Sequence, residues 1–231
     1  MPYDVDGFEI TPLFSEEEIE RLRSAVTRHM DRVSSALLKP LTETAPDAAF
    51  DERIERIASS DQSYGRLLGT AVATDVQRDP EVAALAQDPR LIREAERLCG
   101  RRVGDTIFRL RLNSSALAEH RQPWHSDVAR VHGECATLIT TAWIPLSDAG
   151  ADTGGLEIVP GHQLSPPMQE QDDGRYAIDP SAVEGARTVI PTVRAGDCLF
   201  MDRFTPHRAV RNVSGRTRWS LVVWMKAVTG R

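Results

Sequence analysis

The sequence lacks the segments that would direct it to a membrane or out of the cell. No run of about 18 apolar residues occurs, so we expect no transmembrane helix. The N-terminus has neither the basic segment nor the apolar segment of a secretory signal. The three cysteines, Cys99, Cys135 and Cys198, are far apart and form no CxxC pair, which favours free thiols over a disulfide framework or a zinc knuckle. We therefore expect a cytoplasmic protein without membrane contacts.

The sequence also has fewer basic than acidic residues. Lysine and arginine number 28 against 34 acidic residues, for a formal net charge of −6, and an acidic chain is poorly suited to nucleic acid or to an anionic membrane surface. No GxGxxG, GxxxxGK[ST] or GxSxG motif is present, so the usual signals of nucleotide binding and serine hydrolysis are missing. A small molecule is left as the expected partner.

The first hundred residues carry helical patterns. Ser15 and Glu18 form an S-x-x-E capping box, and apolar residues follow them at helical spacing. Two further helices are predicted around 61–77 and 89–99, the second with a proline near its start and Gly100 at its end. This part is predicted to be mostly helical.

After Gly100 the apolar pattern changes to the period of two that is typical of strands. The segments "DTIFRLRLNS", "TLITTAWIPL", "GLEIVPG", "TVIPTVRAGDCLFMD" and "RWSLVVWMKAV" are predicted strands, separated by turn residues. Several short strands of this kind favour a β-sandwich or barrel. We expect residues 1–231 to form one domain, mainly β with flanking α-helices, whose β core is 101–231.

Two long segments, 39–65 and 162–186, are predicted as loops. The second is polar and contains several prolines. Long loops in compact domains often act as lids over an active site. We therefore predict a lid at 162–186, with a loop that has no function as the alternative.

The segment "PWHSD" carries a candidate metal site. His125 and Asp127 are two residues apart, so in an extended chain both side chains point to one face. His207 is the best candidate for a third ligand. Two imidazoles and a carboxylate leave three coordination positions open, which suits non-haem Fe(II). The alternative combines His125 and Asp127 with His132 in a zinc hydrolase.

A candidate anion receptor lies close to the C-terminus, in "RWS". Arg218 and Ser220 share one strand face, and a guanidinium with a hydroxyl can bind a carboxylate. The flanking residues are apolar, and a buried arginine requires an anion. Arg218 follows His207 by eleven residues, so we expect a hairpin through "NVSG" to bring the two side by side.

Five segments in this order resemble the phytanoyl-CoA dioxygenase family of Fe(II)- and 2-oxoglutarate-dependent oxygenases: "DGFEITPLFSEEEIERLRSAV", "PWHSD", "AWIPLSDAGADTGGLEIVPGH", "AGDCLFMDRFTPH" and "NVSGRTRWSL". The resemblance spans nearly the whole chain. It implies a double-stranded β-helix core of the jelly-roll or cupin type. It also implies Fe(II) bound by His125, Asp127 and His207, with 2-oxoglutarate and O2 as co-substrates.

The resemblance also implies contacts to 2-oxoglutarate. Arg218 is expected to pair with its C5 carboxylate, and Ser220 matches an Arg-x-Ser pattern of related oxygenases. Trp143 occupies a position where the family often has an aromatic residue near the co-substrate. Asn113 and Thr140 are further candidates for its other end.

Three residues are candidates for substrate contacts. Arg109 and Arg111 alternate on one predicted strand face, which points either into the barrel, toward an anionic substrate, or to solvent. His162 follows Pro-Gly where the family commonly has Pro-Gly-Ser-His, so its alignment is imperfect. The other histidines, His29 and His120, are predicted to lie on the surface.

Asp127 narrows the expected chemistry. The resemblance implies that halogenating relatives carry a small residue here, so that a halide can bind iron. Its presence therefore favours hydroxylation, desaturation or oxidative rearrangement of a small to medium organic substrate, in bacterial secondary metabolism. The alternative from another class is a non-catalytic β-helix protein that binds a metal or an anion.

Overall fold

The computed structural model of the chain describes residues 3–36, 45–117, 122–127, 137–161, 168–170, 176–178 and 180–228. The helices are α1 (Tyr3–Asp6), α2 (Glu16–Ala36), α3 (Arg53–Ser60), α4 (Gln62–Asp75), a 3₁₀ turn (Val76–Arg78), α5 (Pro80–Ala86), α6 (Pro89–Cys99) and α7 (Pro180–Val183). The strands are β1 (Phe8–Pro12), β2 (Val103–Asn113), β3 (Leu138–Pro145), β4 (Leu156–Ile158), β5 (Met168–Glu170), β6 (Tyr176–Ile178), β7 (Asp197–Asp202), β8 (His207–Ala209) and β9 (Arg218–Ala227).

Five antiparallel strands form the larger sheet, in the order β1-β7-β3-β9-β2. A smaller sheet pairs β4 with β8. It is widened by single bridges from His125 to His207 and from Ile158 to Val189. The result is a mainly β architecture with flanking helices, as predicted.

Strand β9 shows why the larger sheet is covered on both faces. Trp219 and Val223 belong to the apolar cluster that includes the helices. Val222 and Trp224 belong to a second cluster, shared with the smaller sheet. Because alternate side chains of a strand point to opposite faces, the continuous apolar run of β9 is explained by these two packing partners.

The predicted capping box is confirmed at the start of α2. The backbone N–H of Ser15 donates to Oε2 of Glu18 at 2.8 Å, and the N–H of Glu18 donates to Oγ of Ser15 at 3.3 Å. Glu18 also accepts a hydrogen bond from Arg90 of α6 at 2.6 Å, so it joins the N-terminal ends of two helices. The predicted end of α6 is confirmed too, with Gly100 at a φ of 63°.

The prediction of a loop over 39–65 is wrong from residue 53 onward, where α3 begins. Ile54 and Ile57 are buried on its inner face, and their spacing of three is a helical signal that the polar surroundings obscured. The predicted strand "TVIPTVRAGDCLFMD" is regular only over 197–202. Pro191 interrupts its first half, because proline has no N–H for a ladder.

The predicted lid segment contains regular structure. Within 162–186, β5 pairs with β6 and α7 follows. Ile178 packs against Trp124, close to the predicted metal site. His162, His132 and His120 lie outside the described residues.

The prediction of a surface position for His29 is wrong. Its exposure is 7%, and its ring nitrogens lie 2.8 Å from Oδ2 of Asp75 and 2.9 Å from Oδ2 of Asp79. Asp79 also caps α5. His29 is three residues from the buried Val26, so it extends the apolar stripe of α2 and finds its polar partners inside the fold.

None of the helices in the described part of the chain is long and apolar enough to cross a membrane.

The Glu18 contact predicts a pH-dependent stability. The hydrogen bond from Arg90 lowers the pKa of Glu18 from 4.5 to about 2, so the ionised carboxylate stabilises the folded state above pH 4.5 and this contribution is lost as the pH falls toward 2. We expect Glu18→Gln to lower the free energy of unfolding at pH 7 by up to about 1 kcal/mol. Urea unfolding at several pH values would measure a difference that shrinks between pH 4.5 and 2; a constant difference would contradict the ionic origin.

Candidate functional site

The centre of the site is a pair of backbone hydrogen bonds. The N–H of His125 donates to the carbonyl oxygen of His207 at 3.0 Å, and the N–H of His207 donates to that of His125 at 2.9 Å. Such a reciprocal pair places both side chains on the same face of an antiparallel ladder. The imidazole centroids are 4.2 Å apart.

Each imidazole is oriented by a backbone carbonyl two residues earlier in the chain. Nδ1 of His125 lies 2.8 Å from the oxygen of Pro123, and Nδ1 of His207 lies 3.0 Å from that of Thr205. Since a carbonyl oxygen can only accept, both Nδ1 atoms carry the hydrogen. This assigns the lone pair of each ring to Nε2, the arrangement found in metal-binding histidines.

Asp127 completes a cluster of three. One potential ligand atom from each of His125, Asp127 and His207 lies within 4.8 Å of the other two, and all three residues are buried. Within the described part of the chain, this is the one group of three such residues compact enough to hold a metal ion. Burial raises the pKa of Asp127, but the two imidazoles, the Trp224 indole and the Thr141 hydroxyl together lower it below its usual value, so the group is an anion at neutral pH.

Two buried donors beside Asp127 support a metal-binding carboxylate. The Trp224 indole and the Thr141 hydroxyl both lower the pKa of Asp127. Neither Nε1 of Trp224 nor Oγ1 of Thr141 makes a hydrogen bond of normal geometry with the residues that the structure describes. A carboxylate that binds a metal through one oxygen offers its other oxygen to neighbouring donors. Two imidazole nitrogens and a carboxylate therefore fit a divalent metal ion, and the two unsatisfied donors fit the carboxylate oxygen that the metal ion would leave free.

Arg218 is a buried cation. Its Nε donates to the carbonyl oxygen of Gly154 at 3.0 Å, its Nη1 donates to Oγ of Ser220 at 2.7 Å, and its guanidinium lies 5.2 Å from the centre of the Trp143 ring. Burial lowers its pKa to about 9. No carboxylate in the described ranges forms an ion pair with it, so an anion has to compensate its charge.

Asn113 lies behind Arg218, which corrects its predicted place at the co-substrate. Its Nδ2 donates to the carbonyl oxygens of Gly154 and Val210, at 3.3 and 2.9 Å. The amide thus helps to hold the loop whose carbonyl group accepts from Arg218. Asn113 is a support for the guanidinium, and it is not among the residues that line the cavity.

Thr140 lies on the wrong side of the larger sheet for its predicted role. Its hydroxyl donates to the carbonyl oxygen of Met201 and accepts from the Tyr3 hydroxyl, both at 2.8 Å. Trp143 is three residues further along β3, and an odd spacing places two side chains on opposite faces. Trp143 faces the cavity, so Thr140 faces the helices.

The predicted hairpin between His207 and Arg218 is also wrong. His207 is in β8 of the smaller sheet and Arg218 is in β9 of the larger one. The connecting segment stays with the smaller sheet through a bridge from Asn212 to Thr153 before it crosses over. The two residues therefore face the same cavity from opposite sheets.

A cavity of about 330 Å³ joins these groups, at the lower end of the range for small-molecule sites. Both Arg109 and Arg111 line it, so the predicted strand face points inward. Its other lining residues include Thr70, Thr74, Gln77, Leu112, Gln122, Trp143, Leu156, Met201, Val222 and Trp224, besides the three metal-ligand candidates and Arg218.

Sequence reasoning missed three residues that shape the site. Trp224 is six residues after Arg218 in one strand, and this even spacing would have indicated the shared face. Thr141 is likewise an even step from Trp143. Gly154 is the first glycine of "TGGLE", but no local pattern indicates that its carbonyl group accepts from Arg218.

The comparisons with known proteins agree with this architecture. Residues 3–220 match the family described as phytanoyl-CoA dioxygenase (PhyH). The sequence matches no curated protein.

Three solved structures illustrate the likeness. The epimerase SnoN, in complex with Fe3+, alpha ketoglutarate and nogalamycin RO, is 24% identical, with a TM-score of 0.63 over 98% of this chain and 81% of that chain. EctD from S. alaskensis, with 2-oxoglutarate and 5-hydroxyectoine, is 20% identical, with a TM-score of 0.67 over 99% and 75%. AviO1 from Streptomyces viridochromogenes Tue57 is 23% identical, with a TM-score of 0.60 over 99% and 93%. With the family match, they confirm the predicted double-stranded β-helix.

The Gly154 loop yields a test of how Arg218 is held. Gly154 has a φ of 73°, and a Cβ there would lie 2.5 Å from Nδ2 of Asn113. We expect Gly154→Ala to lower the free energy of unfolding by about 1–3 kcal/mol, from backbone strain and displacement of Asn113. The control is Gly150→Ala, whose Cβ would make an ordinary contact of 3.6 Å with Thr192. Equal free energies of unfolding for Gly154→Ala and Gly150→Ala in denaturant would show that the loop accommodates the added Cβ without strain.

Proposed function

The chain belongs to the phytanoyl-CoA dioxygenase family, and we propose that it is an Fe(II)- and 2-oxoglutarate-dependent oxygenase that oxidises a small to medium organic molecule. One observation carries the proposal: a buried three-residue ligand cluster and a buried arginine, which has no carboxylate partner among the described residues, face the same cavity. A metal ion and a dicarboxylate would satisfy both.

The similar structures support this choice of ligands. The SnoN structure contains Fe3+ and alpha ketoglutarate, and the EctD structure contains 2-oxoglutarate. Each covers nearly all of this chain. The same ligands, placed on the donor set of this chain, would neutralise the charges of Asp127 and Arg218.

We assign the roles as follows. His125, Asp127 and His207 would hold the iron on one face and leave room for co-substrate and O2. Iron held there would supply O2 activation, coupled to conversion of 2-oxoglutarate to succinate and CO2. Arg218 binds the far carboxylate of 2-oxoglutarate, with Ser220 as a second donor.

The protein's own groups prepare the site before any ligand arrives. The carbonyl group of Gly154 and the hydroxyl of Ser220 hold the Arg218 guanidinium in place, so little side-chain entropy is lost on binding. Trp143 covers one side of the guanidinium and excludes water from it, which strengthens the ion pair. Ionised Asp127 needs no deprotonation to bind a metal ion.

The reaction type and setting are the finer parts of the proposal. With Asp127 in place, we assign hydroxylation, desaturation or oxidative rearrangement in preference to halogenation. We assign a substrate from bacterial secondary metabolism, because the similar structures include a protein bound to nogalamycin RO and one from a Streptomyces species. We place a single domain in the cytoplasm, where the free thiols of Cys99 and Cys198 would stay reduced.

The proposal predicts metal-dependent turnover of 2-oxoglutarate. Anaerobic addition of Fe(II) and 2-oxoglutarate should produce a visible metal-to-ligand charge-transfer band, and O2 should then release succinate. His125→Ala and Asp127→Ala should abolish both signals, because each removes a ligand. A wild-type protein that shows neither signal would favour the non-catalytic binding protein.

A second prediction concerns Arg218. Arg218→Gln should raise the KM for 2-oxoglutarate by about 10- to 100-fold, because charge-assisted hydrogen bonds to the far carboxylate are lost. The matched control is Arg21→Gln, which removes an exposed guanidinium of α2 and should leave the KM unchanged. Equal KM values for wild type and Arg218→Gln would remove Arg218 from the co-substrate site.

A further inference from the structure

The cavity contains two further arginines, which have no part in binding the metal ion or 2-oxoglutarate. Arg109 and Arg111 project from β2 into the same cavity as the metal-ligand cluster. In the register of β2 with β9, Arg111 lies opposite Ser220, and Arg218 lies two residues before Ser220. Arg111 and Arg218 are therefore diagonal neighbours on one sheet face.

The guanidiniums of these neighbours lie over different rings. Arg218 lies over Trp143, and Arg111 lies over Trp224 at 5.9 Å from the ring centre. Trp224 is next to Asp127, whose charge also acts on Arg111. The cavity thus offers two separate cationic positions, one at each tryptophan.

Arg111 is available for an anion. It is half-buried, and its guanidinium makes no hydrogen bond or ion pair with the residues that the structure describes. Burial lowers its pKa, and the nearby charge of Asp127 compensates this only in part. A guanidinium that has lost water without gaining an acceptor is stabilised by an anionic ligand.

Arg109 is the more exposed of the two arginines, and the 3₁₀ turn after α4 holds its side chain. Its Nη1 donates to Oε1 of Gln77 at 2.7 Å, and Gln77 lies in the turn that follows α4. Thr70 and Thr74 of α4 line the same side of the cavity. Arg109 is thus the arginine nearer to solvent, and Arg111 is the one on which the charge of Asp127 acts.

A bound metal ion and 2-oxoglutarate would not neutralise all the arginines that line the cavity. The described cavity lining contains three arginines and one carboxylate, Asp127. A divalent metal ion and a doubly charged 2-oxoglutarate cancel each other. The loaded site would therefore keep an excess of two positive charges. Val222, Leu112 and Leu156 add apolar surface to its lining.

We propose that the substrate is an organic anion whose carboxylate or phosphate group binds Arg111, with Arg109 as the outer contact, while its apolar body faces the metal-ligand cluster. The inference rests on the proposed function. It assigns Arg111 to the substrate and Arg218 to the co-substrate, so neutral analogues of the substrate bind poorly.

The test uses simple probes on the loaded protein. Thermal unfolding is measured without O2, in Fe(II) and saturating 2-oxoglutarate, with benzoate, phenyl phosphate or the neutral benzamide added. We expect benzoate or phenyl phosphate to raise the Tm further and benzamide to leave it unchanged. The stronger of the two anions identifies the recognised group.

Variants assign the effect to its residue. Arg111→Gln should weaken binding of the anionic probe about tenfold or more. It should keep the rise in Tm caused by Fe(II) and 2-oxoglutarate, and this rise also shows that the variant folds. Arg111→Lys should recover part of the probe effect, and Arg21→Gln should behave as wild type.

Two outcomes would overturn the inference. Benzamide could raise the Tm as much as benzoate does, or Arg111→Gln could weaken binding of 2-oxoglutarate and leave binding of the anionic probe unchanged. A wild-type protein that responds to the anions through Arg111 but not to 2-oxoglutarate would overturn the proposed function and leave anion recognition by Arg111 standing.

Discussion

The reciprocal backbone hydrogen bonds between His125 and His207 are the constraint on which the site depends. They join segments 82 positions apart in sequence and set two imidazoles side by side. Asp127, two residues after His125, brings its carboxylate to the same cluster. Backbone carbonyls direct each Nε2 toward the shared centre. A change that shifts this register by one residue would turn a ligand away from the cluster.

The two faces of the larger sheet have different roles: one packs against the helices and stabilises the fold, and the other lines the cavity. One face of β9 packs Trp219 and its neighbours against the helices. The other face carries Arg218, Ser220 and Trp224 into the cavity. Burying Arg218 costs free energy in the ligand-free protein, because its charge has lost water without gaining an anion. The apolar face offsets this cost, and binding of an anion recovers it. This explains how a strand with a continuous apolar pattern can present a charged group.

Much of the site was predictable where the physics is local. The capping box at Ser15, the helix end at Gly100 and the shared face of His125 and Asp127 all follow from neighbouring residues and backbone periodicity. Thr140 shows how far that reasoning extends: strand parity relative to Trp143 would have excluded it, because the two are an odd number of residues apart. The buried position of His29 was not predictable in the same way, since its partners come from α4 and from the cap of α5.

The sequence by itself determined which chemical groups were available: two imidazoles, one carboxylate, three arginines and a strand apolar enough to be buried. Only the tertiary structure decided which of them meet. It placed β8 and β9 in different sheets, contrary to the predicted hairpin, and so set His207 across the cavity from Arg218. It also gave Arg218 its acceptor at Gly154. Local periodicity fixes the face on which a side chain lies, whereas the partner of that face depends on how distant strands pair.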